Sequence, residues 1–350
     1  MSNDAFPTRR AVFGGGAISL VLGGLSHYSQ EEKADWQLEN EATPWEPREG
    51  ANIVQFANRL WFFGGRSKLK DRHLRDIWSS GDGVEWTKET EIAEWKSAPS
   101  KMVAAFQERV WLVSGRQVWC SLSGIAWNLV TEQAPWNYRE GASLISFGER
   151  LLFIGGYWPV PDGSHAQYFN DVWASDDGKV WELMEAHCEW RERAFHSVAV
   201  FNEALVLLGG GRWEIQETEK DIWGSSDGKR WLPLRSSLSC VKLSPSPTVY
   251  RGALWMLVSS APNKNKHNTR LVYSWDGKRW HDYRSKWQDY RPKSRWSGSV
   301  NTLFVTFRDR MWAVGASGSN VATDVWSMTL PSDWRGDWFR EASNSLLLAD

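Results

Sequence analysis

One stretch, Asn170 to Phe201 (NDVWASDDGKVWELMEAHCEWRERAFHSVAVF), constrains the fold more than any other, because other stretches of the chain repeat its grammar. It holds two short apolar runs joined by an Asp-Gly turn, a polar connection carrying Trp190 and Arg193, and a third apolar run. Aligning the chain on such runs gives six units, each of roughly 50 residues. In the first, Ile53 to Phe56 and Arg59 to Phe63 read as strands, Gly64-Gly65 follows, and Asp76-Ile77-Trp78 begins a third strand before Gly81-Asp82-Gly83 turns into Trp86. The order recurs from Val103, Ser143, Ser197, Thr248 and Leu303. Apolar runs rich in β-branched and aromatic residues, bounded by Gly, Asp and Ser, predict short antiparallel strands. The Asp-Gly pairs predict tight hairpins between strands three and four, and the paired glycines allow close backbone approach after strand two. One such unit cannot bury both its faces, whereas six stacked radially can. The expected fold is therefore all-β, a six-bladed β-propeller of four-stranded antiparallel blades.

The sixth unit is incomplete. After Asp324-Val325-Trp326 it lacks the Asp-Gly turn and runs into Pro331, which cannot donate to a sheet ladder. Asp35-Trp36-Gln37-Leu38 near the N-terminus reads as an orphan fourth strand, so we expect it to complete blade six and close the ring. Trp334, at fourth-strand spacing after Trp326, is the rival. The domain reading is a leader over 1–26, a linker over 27–34, the propeller over 35–330 and a tail over 331–350. In the leader, Arg9-Arg10 precedes the uncharged, Gly-rich run Gly14 to Leu25, which resembles a bacterial Tat export signal and is too short for a stable membrane span. The expected location is the periplasm, with secretion or N-terminal anchoring as alternatives.

Lys+Arg 41 against Asp+Glu 42 argues against a nucleic-acid partner, whose phosphates call for a basic surface. Cys120, Cys188 and Cys240 show no C-x-x-C spacing and read as buried apolar residues rather than a disulfide framework or zinc site. The 26 Trp amount to several per unit, serving either as buried area or as contact surface.

Double glycines after strand two, an aromatic on strand three and a Trp on strand four resemble kelch repeats, including the propeller of galactose-oxidase-like proteins. The resemblance covers about residues 35–330. This chain differs in having Trp on strand three where kelch repeats commonly have Tyr. The Ser225 to Trp231 turn is one residue short of a sialidase Asp-box.

Strands alternate in direction, so the inter-blade connections and the strand two-to-three loops share one face. The connections carry Arg48, Trp136 with Arg139, and Trp190 with Arg193; the matching position is Lys242 in blade five and Ser299 in blade six. Two readings stand for these side chains. Either they form a mouth for an anionic ligand, with guanidinium forks for a carboxylate and indole faces for a sugar, or the arginines pair with the recurring Asp76, Asp171, Asp221 and Asp324 while the tryptophans pack between blades. The second loop set departs from the repeat and so carries the sharper candidates: Tyr157, Trp158, His165 and Tyr168 in blade three, Arg212 and Trp213 in blade four, and the basic Arg66 to His73 in blade one. No cofactor is expected, because the histidines lack metal-ligand spacing. The expected function is a binding module taking an acidic carbohydrate or a protein partner on the loop face. The alternatives are a sugar isomerase resembling the six-bladed kelch sialic-acid mutarotases and, following from export alone, a copper oxidase.

Overall fold

The computed structural model describes residues 36–67, 69–96, 102–160, 166–212, 215, 217–234, 242–243, 246–263, 266–283, 302–316, 322–331 and 334. They form the expected six-bladed propeller of antiparallel four-stranded blades. Blade one is Asn52–Phe56, Arg59–Phe63, Ile77–Ser80 and Thr87–Thr90, paired in that order. Blades two, three and four repeat it from Val103–Phe106, Ser143–Phe147 and Ser197–Phe201. Blade five, beginning at Thr248–Tyr250, also pairs the short segment Lys242–Leu243 with its second strand. Blade six comprises Leu303–Phe307, Arg310–Ala316 and Ala322–Met328, and its fourth strand is Trp36–Asn40.

The N-terminal strand therefore closes the ring. Trp36 lies opposite Met328 and Leu38 opposite Trp326, and Glu39 accepts from Arg310 at 2.9 Å and from Ser327 at 2.6 Å. Trp334 instead packs on blade five, its ring centroid 5.2 Å from both Trp255 and Tyr273. The expected leader and most of the expected tail lie outside the described residues. Among the described residues, no helix is long and apolar enough to cross a membrane.

The core is not one mass. Among the described residues it divides into six buried clusters, each drawing on two neighbouring blades. The cluster between blades six and one contains Trp312 and Val325 from one side and Phe62, Trp78 and Trp86 from the other. Apolar area removed from water at these interfaces is what holds the ring, at about 25 cal/mol per Å². The interlock is steric as well. Trp111 of blade two lies against Gly178 of blade three so closely that a Cβ there would come within 1.9 Å of its ring, and Gly178 has φ 71°. Only glycine meets both demands.

Turn chemistry differs from expectation. The tight two-residue hairpins join strands one and two, where Ala57 and Asn58 both have positive φ (48° and 56°), as a type I′ turn requires. The Asp-Gly segments form a longer connection between strands three and four, held by side chains. In blade one, Ser80 Oγ accepts from Gly83 N at 2.7 Å, and Asp82 Oδ1 accepts from Val84 N and Glu85 N at 2.8 and 2.9 Å. These bonds hold the Asp82 carboxyl below its usual range against the opposing effect of burial. The Trp86 indole then donates to Gly83 O at 3.0 Å, which ties the Trp six residues after the strand Ile77–Ser80 to the turn it follows.

Candidate functional site

The inter-blade connections and the strand two-to-three loops meet on one face, joined by backbone bonds. Arg48–Glu49 pairs with Arg66–Ser67, Glu140 with Tyr157, and Ala194 with Gly211. The second glycine of each pair makes this possible. A Cβ on Gly65, Gly156 or Gly210 would come within 2.8, 2.9 or 2.7 Å of the carbonyl of Glu49, Glu140 or Ala194. The connection thus passes directly over the end of strand two.

Beneath that crossing, three of the expected ligand-binding arginines are internal. Arg48 Nη1 and Nη2 donate to the two carboxylate oxygens of Asp76 at 2.5 and 2.7 Å, and Nη1 also reaches Gly64 O at 3.0 Å. Arg193 does the same with Asp221 (2.5 and 2.8 Å) and Gly209 O (3.0 Å). Arg139 donates to Asp171 at 2.6 Å and Gly155 O at 3.2 Å. Each aspartate also accepts an indole N–H from the Trp two residues on, at 2.7 Å from Trp78, 2.8 Å from Trp173 and 2.7 Å from Trp223. Residues two apart on a strand share a face, so the Asp-x-Trp spacing builds this contact. It also gives the strand-three Trp a polar role. Burial opposes ionisation of Asp76 and Asp221, but the arginine and indole bonds outweigh it and hold both carboxyls below their ordinary values. Burial lowers the Arg139 guanidinium in spite of Asp171.

Trp136 and Trp190 are wholly buried. Trp136 stacks on Phe153 with centroids 4.3 Å apart and meets Trp181 edge-on at 4.9 Å. These five side chains, Arg48, Arg139, Arg193, Trp136 and Trp190, are all buried. Lys242 lies on the short strand opposite Ser259. His165 and Trp213 lie outside the described residues.

The remaining candidates come together. Tyr157 and Tyr168 are cross-strand partners in the extended hairpin of blade three, and their rings stack at 5.5 Å. Phe195, from the connection into blade four, lies 5.5 Å from Tyr157, and its N–H donates to Gly141 O at 2.7 Å. Arg212 of blade four sits 5.8 Å from the Tyr168 ring and pairs with Glu192 at 2.5 Å. Trp158, half-buried, continues the same strand opposite Gln167. Two members went unselected in the sequence: Tyr138, 42% exposed, and Phe195. Both lie within two residues of the recurring Arg139 and Arg193, whose repetition drew attention away from them. Glu140 accepts from the Tyr138 hydroxyl at 3.1 Å and the Tyr157 hydroxyl at 3.5 Å. Burial and the Glu140 charge push both phenols up to about 12, so they stay neutral at physiological pH. The arrangement is a half-exposed aromatic ledge with a carboxylate at one side and a guanidinium at the other.

The basic loop of blade one lines a cleft of about 380 Å³ with Lys70, Arg72, His73 and Arg75. Its charge is partly met internally, since Glu46 pairs with Lys70 at 3.0 Å. The Ser67 hydroxyl and Lys70 hold the Glu46 carboxyl below its usual range. Cys120 and Cys188 are buried free thiols, and burial raises that of Cys188. Among the described residues, no three His, Cys, Asp or Glu side chains are placed to share a metal ion. The chain matches no known family model and no curated protein.

Proposed function

We propose that this propeller is a carbohydrate-binding module whose loop face receives a sugar ring on the Tyr157–Tyr168 ledge. The stack of these two half-exposed rings, with Glu140 beside one and Arg212 beside the other, is the observation that carries the proposal. Aromatic faces take the apolar face of a sugar, and a few placed polar groups orient it. Glu140 accepts from sugar hydroxyls, while Arg212 would favour a sugar carboxylate in competition with Glu192. Long loops on a rigid scaffold suit recognition, and the lacing of Glu140 to Tyr157 pre-organises this one.

Titration calorimetry against neutral and acidic oligosaccharides tests the proposal. We expect saturable binding that Tyr168→Ala weakens by about tenfold or more, on the scale of 1–3 kcal/mol for losing a stacked ring, with Arg212→Ala weakening acidic sugars selectively. Equal affinity in Tyr168→Ala would remove the ledge from the site. The proposal includes periplasmic delivery, on the strength of Arg9-Arg10 before the Gly-rich run. Changing both to Lys should leave the protein in the cytoplasm on fractionation, and undiminished periplasmic protein would overturn that part.

A further inference from the structure

Blade one carries a cationic cleft on its loop face, and we propose that this cleft binds a small organic phosphate, with the phosphate held by Arg72 and Arg75. The cleft, of about 380 Å³, is lined by the connection into the blade at Glu46, by the strand two-to-three loop at Lys70, Arg72, His73 and Arg75, and by strand four at Lys88. Every residue lining it is among the described ones. Its size lies at the lower end of the range for small-molecule sites. Of its three carboxylates, Asp76 is committed to Arg48 at 2.5 and 2.7 Å. That leaves Glu46 and Glu91 against Lys70, Arg72, Arg75 and Lys88, a surplus of two positive charges before His73 is counted.

Neither arginine is spent internally. Among the described residues Arg75 makes no ion pair, and its Nη1 only grazes the carbonyls of Ala93 and Trp95, each at 3.4 Å. The Arg72 side chain is 59% exposed, and the carboxylate it meets among the described residues, Glu46, is 4.0 Å away. The backbone that carries both is pinned. Ser67 N donates to Arg72 O at 2.8 Å, His73 bridges Arg66, Leu74 N donates to Gly65 O at 2.8 Å, and Ala93 N donates to Arg75 O at 2.9 Å. Less ordering is then left for binding to impose. The pairs Lys70–Glu46 (3.0 Å) and Lys88–Glu91 (2.7 Å) have lysines 58% and 41% exposed, so they are weakly held and their ammonium groups can turn to an anion. A phosphate monoester carries close to two negative charges at neutral pH and accepts guanidinium forks. It therefore matches the surplus, whereas a carboxylate or a sulfate ester, with a single charge, leaves half of it unmet. Pro44 and the exposed Ile92, also on the lining, supply apolar contact for the organic group. The site lies on a different blade from the tyrosine ledge and does not depend on the carbohydrate proposal.

The test is calorimetric titration of the full chain with n-butyl phosphate, n-butyl sulfate and inorganic phosphate, at about pH 8, where a phosphate monoester is a dianion. Butyl phosphate should bind wild type. In Arg72→Gln and in Arg75→Gln its affinity should fall by about tenfold or more, the scale of a hydrogen bond to a charged group. Butyl sulfate and inorganic phosphate should each bind wild type more weakly than butyl phosphate does. Absence of butyl phosphate binding to wild type, or equal affinity in either variant, would overturn the site. Butyl sulfate binding as tightly would overturn the dianion assignment, and inorganic phosphate binding as tightly would overturn the organic one. An Arg75→Gln chain that does not fold leaves the decision with the exposed Arg72→Gln position, whose fold is checked by near-UV circular dichroism.

Discussion

Blades four and six present the same aspartate at the same point of the repeat in opposite electrostatic states. Asp221 receives both arms of Arg193 and the Trp223 indole, and its carboxyl is held below the ordinary range. Among the described residues Asp324 receives the Trp326 indole alone, and its carboxyl is raised. The strand, the indole and the glycine turn are common to both, so the guanidinium decides the sign.

The comparison can be broken most severely in blade four. Arg193→Ala should convert it to the blade-six state and cost about 3–5 kcal/mol, the scale for leaving one partner of a buried ion pair uncompensated. Urea unfolding measures this. The Arg193 side chain is fully buried while that of Asp221 is 35% exposed, so a loss well below this scale would mean that water replaces the arginine. Adding Asp221→Asn to Arg193→Ala should then recover part of the loss.

A smaller effect, of opposite sign, is expected in blade six. Because the folded Asp324 carboxyl is raised, its ionisation opposes folding. Its contribution is favourable below the unfolded carboxylate value of about 4 and is lost as pH rises through the folded value. Asp324→Asn should therefore melt higher than wild type near neutral pH, with the gap closing in acid. Asp221 behaves in reverse, stabilising above the unfolded value and losing that contribution as pH falls through its depressed folded value. Melting curves across pH 3 to 8, a span set to bracket roughly the carboxylate range, separate the two. A gap that widens in acid would refute the state assigned to Asp324.

The candidate site was legible unevenly. Tyr157, Tyr168 and Arg212 stood out because their loops depart from the repeat, and they adjoin one another in the structure, whereas Trp158, next to Tyr157 on the strand, lies opposite Gln167. Tyr138 and Phe195 were masked by recurring neighbours. The arginines posed the harder problem, since a guanidinium that binds a ligand and one that braces a strand have the same spacing in the chain.

Sequence alone determined the blade count and the strand order, and it narrowed the closing strand to two rivals, between which the pairing of Trp36–Asn40 with Ala322–Met328 decided. Those features depend on short-range apolar periodicity and turn residues, which each repeat states afresh. The tertiary structure decided which arginines point inward, which rings stay open to solvent and which aspartates the arginines meet. Those outcomes depend on what lies across a blade crossing, such as Arg193 over Gly209 or Phe195 against Gly141. Burial and pairing are properties of that meeting, and only the closed ring brings its two sides together.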